Sequence, residues 1–397
     1  MRRTASAAAK GSDADDRFSE IEQIFAAVLN RRPVRWPSPL LDGDIVALAC
    51  RRVAFHGIAM QLVNAGCDQL GWPGELIESI HGEARLQALW EATHRSCLGE
   101  VFDDFAAAGV RSLVLKGTAL AYSVWDSPAD RRRGDTDLFI SPADVGPARA
   151  ILEAAGWQVG RRFVFQEVWT RDTGAGFAHV IDLHWRVRDG FTEPAAIAFE
   201  ACFERSMSLP RLHPTARATD LATTMLNCAL NHASHRIYGY AGAGTSTDRQ
   251  VHLGGMLDTD RLARQLDERD WQQLLVLTDQ TGAARAVTSA VELARSWFDS
   301  PVPAPMAAAL AVMADQQALR PDPWNDPAAV GTLGSLAAKI RAAVGWRAKR
   351  DIALTRLWPS ADELGLVPER SGGAWLLSAR VARIARLAVR SLLGRAS

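Results

Sequence analysis

Three aspartates, a lysine and a glycine are the residues of this chain best suited to chemistry. Asp135 and Asp137 stand two apart in Gly134-Asp135-Thr136-Asp137-Leu138-Phe139-Ile140. Asp182 follows in Val180-Ile181-Asp182-Leu183-His184-Trp185, and Lys116-Gly117-Thr118 precedes them, after the apolar run Leu113-Val114-Leu115. On an extended strand residues i and i+2 share a face, which sets Asp135 and Asp137 side by side, roughly 6–7 Å apart at the backbone. Two ionised carboxylates on one partly buried face repel each other. A divalent cation removes that cost and takes both as oxygen ligands. Two-metal sites hold their ions about 3.5–4 Å apart, a span such a pair helps to bridge. The plain alternative for the pair alone is a solvated strand end.

Asp182 has two readings as well. In mid-strand, between Ile181 and Leu183, its charge wants a partner. That partner is either a cation shared with the first two acids or a neighbouring guanidinium, Arg186 or Arg188. Lys116-Gly117-Thr118 reads as a strand running into a helix. Such a corner presents free N–H groups at the positive end of the helix dipole, and glycine lets a phosphate come close to the main chain. Lys116 adds charge and Thr118 a hydroxyl. The GxxxxGK[ST] spacing of a P-loop is absent, and a mere strand–helix corner fits the same three residues.

The elements that must position these groups can be read around them. Residues 17–108 carry a helical pattern: a short amphipathic stretch from Phe18 to Leu29, a helix capped at Asp42 and running from Ile45 to Val63, and one from Gly74 to Ala108. Residues 109–210 change character. Ser112–Lys116 and Asp135–Ile140 read as strands with a helix between them, and Ser141-Pro142-Ala143-Asp144 opens a second helix that ends at Gly156. Trp157–Trp169 and Phe177–Val187 read as an antiparallel pair, giving the order β-α-β-α-β-β. Residues 215–397 are helical again, with segments near 216–237, 249–266, 268–298, 304–318, 331–357 and 374–394. On the first of these, Asn231, His232, His235 and Arg236 fall on one face, which lines a cleft or serves helix packing. The last helix sets Arg380, Arg383, Arg386 and Arg390 against an apolar stripe. That pattern suits contact with a partner or a membrane surface, or simple docking by the stripe.

Composition bounds the rest. The 397 residues are 48% hydrophobic and 23% charged, as expected of a globular protein with a sizeable core. Forty-five basic and 45 acidic residues cancel, so no global field draws the chain to nucleic acid or membrane. The five cysteines are widely spaced, without CxxC or a Cys/His cluster, which argues against a disulfide framework or a zinc site. Residues 1–16 are polar and Ala/Ser-rich, and read as a disordered tail rather than a signal peptide. No apolar run is long enough to span a membrane, and the cytoplasm is the expected compartment.

Taken together, the motifs resemble those of the nucleotidyltransferase superfamily that includes DNA polymerase beta. The chain is most similar to an uncharacterised nucleotidyltransferase family within it. The resemblance rests on Leu115-Lys116-Gly117, Arg131 ahead of Gly134-Asp135-Thr136-Asp137, and Asp182-Leu183-His184-Trp185. It implies an α+β fold: a small α/β core at residues 109–210, flanked by helical regions at 17–108 and 215–397. It implies that Asp135, Asp137 and Asp182 hold two Mg²⁺, with Mn²⁺ as a substitute, and that Lys116, Gly117, Thr118 and Arg131 meet the nucleotide. His184 and His232 would stand just behind the ligands. The implied reaction moves an NMP from an NTP, ATP foremost, to a hydroxyl on a small molecule, a protein or an RNA end, releasing pyrophosphate. The rival is a catalytically inactive nucleotide-binding or partner-binding regulator on the same fold.

Overall fold

The computed structural model describes residues 19–163, 165–174, 176–187, 195–238 and 252–318, with scattered positions between 336 and 385. The expected tail at 1–16 lies outside them. So does most of the expected basic helix, of which 376–382 and 384–385 are helical. Among the described residues no helix is long and apolar enough to cross a membrane.

The chain is an α+β protein. Its N-terminal part is helical: α1 (19–29), α2 (Gly43–His56), α3 (Ala59–Asn64) and the long α4 (Gly74–Ala107). Asp42 caps α2 by accepting from the Asp44 N–H. The single helix expected from Ile45 to Val63 is two, because Gly57 takes a left-handed φ of 63°. Arg132 packs on that glycine so closely that an added Cβ would lie 3.0 Å from the arginine's own.

The sheet elements follow: β1 (Ser112–Leu115), α5 (Lys116–Ser123), β2 (Thr136–Ile140), α6 (Val145–Ala154), β3 (Gln158–Arg162), β4 (Gln166–Asp172), β5 (Ala178–His184), α7 (Phe199–Glu204), β6 (Met207–Ser208) and β7 (Arg217–Ala218). They form one seven-stranded mixed sheet in the order β3-β4-β5-β2-β1-β7-β6. The stretch Trp157–Trp169, expected as one strand, is divided into β3 and β4, which pair antiparallel. No glycine, proline or asparagine marks that turn, so the sequence pattern hides it. The C-terminal helices are α8 (Leu221–Tyr238), α9 (Leu253–Gln265), α10 (Glu268–Thr281), α11 (Ala284–Phe298) and α12 (Ala304–Ala318). The segment 268–298, expected as one helix, breaks at Gly282.

Strand alternation distributes side chains between two cores. Leu113, Leu115 and Phe139 join one apolar cluster with α1–α3 and α8–α11. Val114, Leu138, Ile140, Ile181 and Leu183 join the other, with Leu98, Val101, Phe102 and Phe105 of α4. Each such fully buried side chain is worth about 1.5–3 kcal/mol. A register slip by one residue would exchange the two sets. The same alternation fixes the chemistry: Asp137 shares the face of Phe139, and Asp182 the face opposite Ile181 and Leu183.

Candidate active site

β2 and β5 run parallel with Asp137 directly opposite Asp182. The two acids, 45 residues apart in sequence, become neighbours across one ladder step. His184 is two residues beyond Asp182 on the same face, and it hydrogen-bonds Asp137 Oδ1 through Nε2 at 2.8 Å. Ligand atoms of Asp137, Asp182 and His184 all lie within 4.8 Å of one another. Asp135 is not in that cluster; it sits one residue ahead of β2. Its residue is exposed, beside the buried Thr136 and Asp137.

Charge binds the four groups into one unit. The crowding of protein atoms, then the charges of Asp137 and Asp182, push the Asp135 carboxyl well above its usual range. Burial and Asp137 raise Asp182 too. Asp137 goes the other way. It is 3% exposed, and burial alone would raise it, but Lys116 and His184 outweigh burial and hold it ionised. Lys116 Nζ stands 2.5 Å from the same Asp137 oxygen. The charge of this half-buried ammonium reaches all three acids, and it touches Asp137. Asp182 has no guanidinium partner among the described residues, and Arg186 lies over the Phe165 ring, 4.0 Å from its centroid.

The strand–helix corner is as expected in outline. β1 ends at Leu115 and α5 begins at Lys116, with no side chain capping its first N–H groups. Lys116 takes a left-handed φ of 49°, a conformation that costs a non-glycine residue about 1 kcal/mol or more. That turn is what brings its amine back onto Asp137. Arg131 and Arg133 stand over Gly117, where an added Cβ would meet Arg133 Cβ at 3.4 Å and Arg131 Nη2 at 3.8 Å.

Two nucleotide-contact expectations meet a different arrangement. The Thr118 hydroxyl is buried rather than free: it bonds the Thr136 hydroxyl at 2.8 Å and accepts from Arg133 Nε at 3.0 Å. Arg131 grips Asp258 of α9, Nε lying 2.8 Å from both carboxylate oxygens. Trp125 Nε1 donates to the same acid at 2.9 Å. Asp258 is buried and Arg131 nearly so, so Arg131 acts first as a strut between the site loop and the C-terminal helices. Its charge still reaches Asp135, which it pulls down. The loop is fastened elsewhere as well: Asn64 donates to Asp130 Oδ1 at 3.0 Å, Gln61 and Gln87 donate to the carbonyls of Asp130 and Ala129, and Arg133 pairs with Glu91.

His232 is not part of the acid cluster. It lies half-buried on α8, its Nε2 has no hydrogen-bond partner among the described residues, and burial with Arg236 and His235 lowers it to about 4. Arg133, Glu91 and Thr136 were not picked out from sequence for these contacts. The arginine triplet 131–133 gave no sign of which member turns inward, and an acid on an amphipathic helix looks like a solvated one.

The profile of an uncharacterised nucleotidyltransferase family matches residues 44–299, and the chain belongs to that family. The matched span runs from the start of α2 to the end of α11 and contains every site residue described above. No curated protein and no solved structure matches the chain.

Proposed function

We propose that the chain transfers a nucleoside monophosphate from an NTP, ATP foremost, to a hydroxyl acceptor. The observation that carries this reading is the facing pair Asp137, buried, and Asp182, half-buried, beside His184 with a lysine ammonium as the counter-charge. Oxygen-rich donors within one ion's reach, holding more negative charge than one ammonium balances, fit Mg²⁺ or Mn²⁺. Asp137 and Asp182 would hold the ion, with the exposed Asp135, one residue ahead of β2, as the further acid for a second. Bound there, a divalent cation would neutralise triphosphate charge and acidify the acceptor hydroxyl.

The chain's own residues do the rest. The acceptor oxygen attacks the α-phosphorus, the bond to the β-phosphate oxygen breaks, and pyrophosphate leaves. Asp182, facing Asp137 across the ladder step, takes the hydroxyl proton. The uncapped N–H groups at the start of α5 receive phosphate oxygens, with Lys116 released from Asp137 towards them. Arg131 contributes charge from its place on Asp258 rather than by direct contact. Positioning and charge stabilisation carry the catalysis.

The test is incubation of the protein with α-labelled NTP, Mg²⁺ and an extract of the native host, beside Asp137→Ala. Label should pass to an acceptor with the wild type alone, and γ-labelled NTP should give labelled pyrophosphate instead. Equal transfer by both proteins, or none by either, defeats the reading in favour of a non-catalytic nucleotide or partner binder.

A further inference from the structure

Thr136 separates the two acids in sequence and faces the other side of the strand. It is fully buried, with a buried histidine of α4 against it: His94 Nε2 lies 2.6 Å from the Thr136 hydroxyl. His94 Nδ1 lies 3.0 Å from Nδ1 of His179, at the start of β5, and His179 Nε2 lies 3.2 Å from the Thr93 hydroxyl. Trp90 stacks on His94 with ring centroids 4.2 Å apart. Arg133, Thr118, Thr136, His94, His179 and Thr93 therefore form one continuous line of hydrogen bonds behind the acids.

The direction of that line follows from its ends. A guanidinium only donates, so Arg133 Nε gives its proton to Thr118. Thr118 has two acceptors, Thr136 at 2.8 Å and the Asp135 carbonyl at 3.4 Å, and the shorter bond is the better one. Thr136 then donates to His94 Nε2, His94 Nδ1–H donates to His179 Nδ1, and His179 Nε2–H donates to Thr93. The Thr93 hydroxyl ends the line on the carbonyls of Leu89 and Trp90, both at 3.0 Å. The reverse direction would leave Thr118 with the 3.4 Å bond and take the Thr93 proton away from its carbonyls. Both imidazoles must be neutral with one proton each. Burial, then Arg133 and His179, keep His94 well below its usual range, and burial with Arg171 lowers His179.

We propose that His94 is a positioning residue for the acid pair: by accepting from Thr136 it fixes the start of β2, so that Asp135 and Asp137 present their carboxylates to the cation. The inference rests on the cation reading of the site. It gives the N-terminal helical part a place in the chemistry, since α4 supplies the group that orients a strand it does not pair with. Partners behind a ligand set are worth about 10–100-fold in metal affinity.

The experiment uses the full chain with Mn²⁺ alone as probe, its affinity read by electron paramagnetic resonance. Gln matches the reach of an imidazole Nε2 and Asn that of Nδ1. His94→Gln therefore keeps an acceptor on Thr136, and His94→Asn loses it. His94→Gln should bind Mn²⁺ within about 3-fold of wild type, while His94→Asn and Thr136→Val should each weaken it about 10-fold or more. Thr136→Ser should restore the affinity. Nitrogen-15 spectra of the wild type add a second readout: His94 protonated on Nδ1 and His179 on Nε2. Equal affinities for the Gln and Asn variants, or the opposite tautomers, would overturn the proposal while leaving the cation site standing. A wild type that binds no Mn²⁺ would bring down the cation reading and this proposal with it.

Discussion

Replacing Asp135 by Asn should stabilise the protein in the absence of divalent cations. At the roughly 6–7 Å expected between neighbouring acids on one strand face, two unit charges repel by about 2–3 kcal/mol at an effective dielectric of 20. Asp135 is exposed and Lys116 and Arg131 lie nearby, so screening reduces the gain to about 1 kcal/mol. That raises Tm by about 2–4 °C. A cation reverses the order. At a hundred times its Kd a bound ion adds about 2.7 kcal/mol to the wild type, and a variant short of one acid gains less. Melting curves with chelator and with Mg²⁺ should therefore cross. The sign with pH follows from the raised Asp135 carboxyl: the folded state takes up its proton before the unfolded state does. Cation-free wild type should gain stability as pH falls through that raised value, towards the ordinary Asp range near 3.9. The variant lacks this contribution, so its advantage should shrink on acidification. An Asp135→Asn protein less stable than wild type in chelator would refute the reasoning, since the acid would then be a structural partner.

Three further outcomes are expected. Asp258→Ala strands Arg131 and the Trp125 N–H together, and denaturant unfolding should report a loss of about 3–5 kcal/mol; a loss under 1 kcal/mol would deny the strut. Lys116→Gln takes the ammonium from Asp137 and should cost about 1–3 kcal/mol in chelator. With Mg²⁺ present most of that loss should vanish, because a cation replaces the missing charge, and an equal loss in both conditions would contradict it. Gly254→Ala places a Cβ 2.5 Å from the His56 carbonyl oxygen. It should force α9 from α2 at about 1–3 kcal/mol, and an unchanged Tm would mean that contact is loose.

Much of this was legible in the chain. The Asp-x-Asp spacing and the apolar neighbours of Asp182 sufficed to put the acids on one face, and Asp137 and Asp182 do meet across β2 and β5. Long helices were legible where the apolar period ran unbroken, as in α4. Breaks inside them were not. A glycine inside a helical period does not by itself announce a break, yet Gly57 and Gly282 each end a helix, and the β3–β4 turn carries no turn residues. The partners of Arg131 and Thr118 were hidden for a different reason. A long polar side chain reads alike whether it faces a phosphate or a buried acid, and only the packing of α9 on the loop decides for Asp258. His94 and His179 were hidden likewise, since each takes its meaning from a residue at least 40 positions away.

The central claim is that Asp137 and Asp182 hold a divalent cation against an NTP's phosphates. Crystals of the full chain with Mn²⁺ and an ATP analogue carrying a methylene between the α- and β-phosphorus test it most directly. Anomalous scattering should place manganese in coordination with both carboxylates and with phosphate oxygens, the phosphates near the start of α5. Manganese bound elsewhere, or a triphosphate seated away from Asp137 and Asp182, would contradict the account.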